Sequence, residues 1–377
     1  MADSKADTRV APKVWVLLGE GAGGNAQMCR LADALGWPYQ AKQMRYNRWN
    51  HLPNPLLGAT DRTLDRQRSD AIGPPWPDLV IAASRRAAPL ARWIKRQSGG
   101  RTRLVHLLHT QAPLHHFDLI VTLPQFRVPD APNVLRNTLP LNTLDAARLT
   151  RAAERWRPQF AHWPRPWIAV LVGGDSSSYR LDADTARRLA ERANALAAEM
   201  GGSLLVTTSP RTPDQATRVL RDTVREPAYF YAWQRGGGDN PYDGFLALAD
   251  RFLVTADSAS LPAEACATGR PVELFTWAPR KPLFALGRLR QRPVIRRAER
   301  ALIYSGAIKP RRDFAAFHAR LAEFGLIDGQ GGAKVPDDLG RTVAHIRALM
   351  GDNSFPLAPS VSHHRSTHSS AHFKDSA

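Results

Sequence analysis

Val14-Trp15-Val16-Leu17-Leu18-Gly19-Glu20-Gly21-Ala22-Gly23-Gly24-Asn25 is the stretch from which the fold follows. Its apolar, uncharged start predicts a strand buried on both faces, as strands of parallel sheets are. The glycines predict a loop, and Ala26 to Leu35 then reads as a helix closed by Gly36. Strand, glycine loop and helix in that order open a Rossmann-like unit. The same order restarts at Trp167-Ile168-Ala169-Val170-Leu171-Val172-Gly173-Gly174-Asp175-Ser176-Ser177-Ser178. Between the two, His162-Trp163-Pro164-Arg165-Pro166 breaks all periodicity and marks a linker.

Further strands are expected in the first half at Pro77–Ala83, Arg103–Leu108, Leu119–Thr122 and Asn133–Leu135. Helices are expected at Arg86–Gln97, with Ser84 as its cap, and at Leu144–Arg157. The second half continues with strands at Ser203–Thr207, Tyr229–Trp233, Arg251–Thr255 and Pro271–Phe275. Its helices fall at Asp182–Met200, Pro213–Val224, Pro241–Ala249 and Leu261–Thr268. Two β-α series predict an α/β chain of two Rossmann-like, doubly wound parallel-sheet domains facing a cleft. The expected divisions are a disordered tail over 1–12, a domain over 13–160, a second over 164–300, helices within 301–350 and a disordered polar tail over 351–377.

A length of 377 residues suits two domains. No run of about 18 apolar residues occurs, and the start lacks a secretory apolar core, so a cytoplasmic protein is expected. Cys29 and Cys266 fall inside expected helices and read as unpaired buried thiols, with no metal site implied. The net charge of +18 admits a nucleic acid, an anionic membrane or an acidic small molecule as partner. Arginine enrichment from a GC-rich genome is the plain alternative. From Arg280 to Arg300 eight basic residues face a single acid, Glu299. No aromatics alternate with them, and no zinc-finger or RNP-type spacing occurs, so specific nucleic-acid binding is not expected. The block is assigned to an anionic membrane surface or a lipid-linked acceptor, which places the chain peripherally at the inner face of the cytoplasmic membrane.

Ligands of parallel α/β sheets sit beyond the carboxyl ends of the strands, and four loops there stand out. Gly21, Gly23, Gly24 and Asn25 form a cleft loop leading to a helix N-terminus, where an anion is favoured. It nearly fits G-x-G-x-x-G, yet no acidic ribose partner follows at the usual distance. Gly173, Gly174 and Ser176 offer backbone N–H groups and a hydroxyl as a nest for a diphosphate, provided Asp175 turns away. Ser209 and Arg211 follow a strand, the guanidinium suited to phosphate. Asp257, Ser258 and Ser260 gather at a helix start, with Glu264 one turn in and able to accept from ribose hydroxyls. Each loop also reads as ordinary turn or cap chemistry, Glu264 as a capping-box residue among them. Asn240 and Tyr242, after a glycine run, are candidates for contacting a base or sugar.

In these stretches, together with Ser84-Arg85-Arg86-Ala87-Ala88-Pro89-Leu90-Ala91 and Gly269-Arg270-Pro271-Val272, the chain resembles the mitochondrial-fission Elm-like family from about Val14 to about Phe275. That family is similar to GT-B glycosyltransferases. The resemblance implies a nucleotide-sugar as substrate with no cofactor, and metal-independent, inverting transfer to a hydroxyl acceptor such as a cell-envelope lipid or glycan. The donor would lie in the second half, its phosphates and ribose held by Ser258, Ser260 and Glu264, and the acceptor in the first. Plant relatives are associated with mitochondrial division, which implies a non-catalytic scaffold as the alternative. Many relatives carry an Asp-Pro-Arg-like stretch and a His-Asp pair where this chain has His109-Thr110-Gln111-Ala112-Pro113 and Pro124-Gln125-Phe126-Arg127. The catalytic base therefore does not carry over, and His109, His115 and His116 are the local candidates.

Overall fold

The computed structural model describes residues 11–279 except 142, 143, 177 and 226, then residues 294, 295, 298 and 302, and finally 312–352. Nearly all of the Arg280–Arg300 block and of both expected tails lies outside the described residues. The first lobe is a six-stranded parallel sheet of β1 (Val14–Leu18), β2 (Tyr39–Gln43), β3 (Leu79–Ala83), β4 (Arg103–Leu107), β5 (Leu119–Thr122) and β6 (Val134–Arg136), ordered 2-1-3-4-5-6. Its helices are α1 (Ala22–Leu35), the short α2 (Asn54–Leu57) and α3 (Ser84–Gln97). The second lobe is a five-stranded parallel sheet of β7 (Trp167–Leu171), β8 (Ser203–Thr207), β9 (Ala228–Tyr231), β10 (Arg251–Thr255) and β11 (Val272–Phe275), ordered 11-10-7-8-9. Around it lie α5 (Ala183–Met200), α6 (Asp214–Thr223), α7 (Tyr242–Leu248) and α8 (Ser260–Ala267). Two Rossmann-like, doubly wound parallel sheets are thus present, as the β-α alternation requires.

The core strands β1, β3, β7 and β8 are buried at every position, so each sheet is packed on both faces. Strand β2 has no counterpart in the sequence expectations. It is an edge strand paired only with β1, and Tyr39-Gln40-Ala41-Lys42-Gln43 is largely exposed, so it lacks the apolar run that marks the others. Helix α1 begins at Ala22 rather than Ala26, which puts Gly23, Gly24 and Asn25 in its first turn. Ser84 does not cap α3 but opens it, in a left-handed conformation with φ 66°.

The chain crosses between lobes twice, and one carboxylate ties the two crossings together. Helix α4 (Ala146–Phe160) precedes the expected linker yet packs on α7 in the second lobe, where Trp156 and Phe160 join Trp167 and Phe245 in one aromatic core. Helix α9 (Phe314–Glu323) adds Phe317 and Leu321 to the same core. Helix α10 (Asp338–Leu349) then returns to the first lobe and buries Val343 and Ile346 beside Leu31 and Leu35 of α1. Asp338 Oδ2 accepts from the backbone N–H groups of Thr138 at 2.8 Å and Leu139 at 2.7 Å, on the outgoing crossing.

Truncating Asp338 leaves two buried N–H donors without a partner. Asp338→Ala is expected to lower the unfolding free energy by about 2–4 kcal/mol, read from urea denaturation midpoints. A change within error would show that the crossings do not depend on this tie.

Candidate functional site

Strand order fixes where a ligand fits. In an open parallel sheet the crevice lies where neighbouring strands send their connections to opposite faces. In the first lobe that point lies between β1 and β3; in the second it lies between β7 and β10. A cavity opens at each. One, of about 420 Å³, is lined by Gly19, Glu20 and Gly21 after β1, Ser84 and Arg86 after β3, and His109 after β4. The other, of about 700 Å³, lies between the lobes. Ser176, Arg211, Ser258, Ser260 and Glu264 line it from one side, and Gly23, Gly24, Gln27 and Gln125 from the other. Gly24, Leu108, Phe126 and Arg312 border both cavities, so the two adjoin. Volumes of this size suit small-molecule ligands.

Asp257 organises the second-lobe rim. Its carboxylate is buried and accepts from Thr255 Oγ1 at 2.7 Å and from the Gly174 N–H at 3.1 Å. Arg211 Nη2 pairs with it at 2.7 Å, while Arg211 Nη1 donates to the Asp175 carbonyl at 3.1 Å. Gly173 N–H donates to Thr255 Oγ1 at 2.7 Å, and Ser209 Oγ donates to the Gly173 carbonyl at 2.9 Å. These bonds correct one expectation. The N–H groups of Gly173 and Gly174 are not an open nest, because Thr255 and Asp257 already occupy them. Asp257 lines the inter-lobe cavity, but its carboxylate accepts from Thr255 and Gly174 and pairs with Arg211. Asp175 does turn away, accepting from the Leu181 N–H at 2.9 Å. Ser176 Oγ accepts from the N–H groups of Ser178 and Tyr179, a local turn at the cavity edge.

What remains open is the start of α8. No side chain caps it and no acidic residue occupies its first turn. Ser258 Oγ, just ahead of it, is buried without a hydrogen-bond partner and lines the inter-lobe cavity. Ser260 is exposed at the first helical position. Glu264 is no capping-box residue: it accepts from Tyr242 Oη at 2.6 Å, and burial raises its pKa while that bond opposes the rise. Tyr242 stands behind Glu264 rather than in the cavity, and Asn240 caps the Tyr242 N–H at 3.0 Å. Tyr242 is thus bonded to Glu264, and Asn240 to the Tyr242 N–H. Across the cleft the α1 start is likewise uncapped, with Gly21 at the cap position. Asn25 closes its loop by bonding both the N–H and the carbonyl of Gly19, at 3.0 and 2.8 Å.

The three imidazoles separate. His109 lines the first-lobe cavity, but its Nδ1 accepts from the Gln111 N–H at 2.9 Å, and burial lowers its pKa to about 4. At neutral pH its proton sits on Nε2, so it offers a donor and not a base. His115 and His116 lie in the turn Leu114–His116 just before β5, at the opposite edge of the sheet, and line neither cavity. Burial and then Arg92 lower the His116 pKa to about 4.

Sequence reasoning missed Glu20, Arg86, Gln125 and Arg312. Glu20 and Arg86 pair across the first-lobe cavity. Applying the strand-end rule to β3 as well would have found Arg86. Gln125 Oε1 is buried, unpartnered and in the wall of the inter-lobe cavity. Arg312 reaches the cleft because Asp313 N–H donates to the Gln125 carbonyl at 2.9 Å and Arg127 Nε donates to Asp313 Oδ2 at 2.7 Å. No local sequence signal announces that contact. Ser84, Leu108 and Gln111, all on the first-lobe cavity wall, hold positive φ without being glycine, and such strain gathers at functional sites.

His106, behind that wall, is fully buried with its pKa lowered to about 3 by burial, and His109 follows at about 4, both from 6.5. The unfolded chain binds these protons below 6.5 and the folded chain does not. Their stability contribution is therefore complete above pH 6.5 and is lost as pH falls towards 4 and 3. Urea midpoints are expected to fall through that window, by up to about 1.4 kcal/mol per pH unit for each imidazole, and His106→Gln should flatten the slope. Identical slopes for variant and wild type would contradict a neutral buried His106.

Similar folds and sequences are known. UDP-GlcNAc 2-epimerase from Methanocaldococcus jannaschii matches with a TM-score of 0.47 and 14% identity, covering 90% of this chain and 99% of that one. A glycosyltransferase from Rickettsia africae matches with a TM-score of 0.44 and 10% identity, covering 90% and 99%. The mitochondrial fission protein ELM1 of Arabidopsis thaliana is 34% identical over 219 residues, 52% of this chain and 51% of that protein. The chain thus matches about half the length of that plant relative. The family described as Mitochondrial fission ELM1 matches residues 22–322. Spanning most of both lobes, that match shows that the chain belongs to the mitochondrial fission ELM1 family.

Proposed function

We propose that the inter-lobe cavity binds a nucleotide-sugar and that the protein transfers its sugar to a hydroxyl acceptor. The observation that carries this reading is the α8 start: an uncapped helix N-terminus with the buried, unpartnered Ser258 Oγ beside it, at a switch-point cavity. Buried polar groups in native proteins are nearly always bonded, so an orphan hydroxyl there points to a partner from outside the chain. A diphosphate suits it, since the helix end carries partial positive charge and free N–H groups. Arg211, held by Asp257 at the cavity rim, adds a cation that is already oriented. Glu264, fixed by Tyr242, faces the ribose hydroxyls.

In the proposed inverting step the acceptor oxygen bonds to the anomeric carbon as the bond to the donor phosphate oxygen breaks. The nucleoside diphosphate leaves on the α8 N-terminus and Arg211. A first-lobe base takes the acceptor proton. His109 offers a donor there, so we assign that role to Glu20, the carboxylate among the residues lining the first-lobe cavity, which gives up its Arg86 partner to the acceptor. The acceptor is read as a cell-envelope lipid or glycan, met by a peripheral protein at the cytoplasmic face of the membrane.

A second reading, a scaffold that keeps the fold without catalysis, is favoured by one observation. The Gly173–Gly174 loop is filled by the chain's own Asp257 and Thr255. The plant relative's name, a mitochondrial fission protein, suits it as well.

Thermal-shift and calorimetric titration with UDP, GDP, CDP and CMP separate the two. The transferase reading expects stabilisation by one nucleotide and a loss of about 1–3 kcal/mol of its affinity in Glu264→Ala. Glu20→Gln is expected to abolish transfer while leaving nucleotide affinity intact. A folded protein that no nucleotide stabilises would sink the transferase reading and leave the scaffold.

A further inference from the structure

Three of the six large hydrophobic side chains left exposed among the described residues come from one short stretch after β2: Trp49 at 53%, Leu52 at 40% and Leu56 at 77%. They are not loosely hung. Asn54 Nδ2 donates to the carbonyls of Arg85 at 3.1 Å and Thr110 at 3.0 Å, and Asn50 Nδ2 donates to the Arg86 carbonyl at 3.1 Å. Arg85 Nη1 donates to the Leu52 carbonyl at 2.8 Å. The fold therefore spends four side-chain hydrogen bonds, one of them buried, on holding an apolar crest out into solvent. Together with the crest, Leu57 and Trp93 line a groove of about 910 Å³. Its margin is basic: Arg48, Arg62 and Arg96 are exposed around it, while on α3 Arg86 and Lys95 are already paired with Glu20 and Asp118. Asp61, the acid in the groove wall, is already paired with Arg66.

We propose that this crest docks the protein on an anionic bilayer, with Trp49, Leu52 and Leu56 in the headgroup boundary and the flanking arginines on lipid phosphates. Tryptophan with aliphatic side chains and a cationic margin is the composition that partitions into such an interface. A net charge of +18 favours an anionic surface over a neutral one. Three protruding side chains fall well short of the roughly 800 Å² per partner of a stable protein interface, which argues against a second copy of the chain. The position matters as well. Arg85 both holds the crest and lines the first-lobe cavity, so docking here sets that cavity beside the membrane. A lipid-borne hydroxyl would then reach the cavity without leaving the bilayer. This deepens the membrane side of the proposed function and assigns it to the Trp49–Leu56 stretch.

Vesicle sedimentation of the full-length chain tests it, with phosphatidylcholine vesicles made with or without phosphatidylglycerol. The wild type is expected to bind only the anionic vesicles and to be released by salt. Trp49→Glu with Leu56→Glu should reduce partitioning by about tenfold or more, with an unchanged melting temperature because both side chains are exposed. Leu56→Trp, which keeps an interfacial side chain, should bind as well as the wild type. Wild-type binding by the double glutamate variant would overturn the proposal, as would binding indifferent to phosphatidylglycerol. So would a wild-type dimer that the same variant splits without any vesicle binding. Nucleotide binding is not read in this experiment, so the donor-site reading stands or falls separately.

Discussion

The second-lobe site depends on one buried carboxylate. Asp257 sits at 1% exposure at the end of β10, where an unpaired charge would be untenable. It is compensated by Thr255 Oγ1, the Gly174 N–H and Arg211, and each of those partners belongs to or orders a different loop. One ion thereby locks the β7, β8 and β10 loops into a single rim. The same contact explains the two glycines after β7. A Cβ on Gly173 would overlap the Asp257 carboxylate, and one on Gly174 would overlap the Arg211 carbonyl. Glycine is needed there for the approach of neighbouring loops, not for an approach to ligand.

That lock leaves the α8 start as the open part of the rim. The Gly173 and Gly174 amides are consumed within the protein, while Ser258, whose Oγ is buried and unpartnered, Ser260 at the uncapped helix start and Arg211 line the cavity. Polar groups left over after internal bonding are where a ligand's charge can be met. Facing them, the α1 start is uncapped as well, so two helix ends meet across one cleft. The cleft holds its shape because the chain crosses it twice and Asp338 binds both crossings.

The first lobe is different in character. Its cavity wall carries strained backbone at Ser84, Leu108 and Gln111, a neutral His109 and the Glu20–Arg86 pair. Its outer rim carries the exposed crest of Trp49, Leu52 and Leu56. The second lobe thus presents polar groups and an uncapped helix start to the cleft, and the first an exposed apolar crest with a basic margin.

The sequence by itself determined the strands, the helices and their alternation, because burial on two faces demands uninterrupted apolar runs and parallel connections demand helices. It also marked the loops that meet at the cleft, since strand ends followed by glycine and hydroxyl residues are local signals. It did not reveal β2, whose edge position asks for no apolar run. Nor did it tell which loop residues serve the ligand and which serve each other. Asp257 reaching Gly174, Tyr242 reaching Glu264, and Asp313 bringing Arg312 to Gln125 join residues 83, 22 and 188 positions apart. Hydrogen-bonding capacity is finite, and only the tertiary contacts decide where it is spent. For the same reason His109 reads as a base in the sequence and is a donor in the fold: its lone pair is taken by an N–H two residues away.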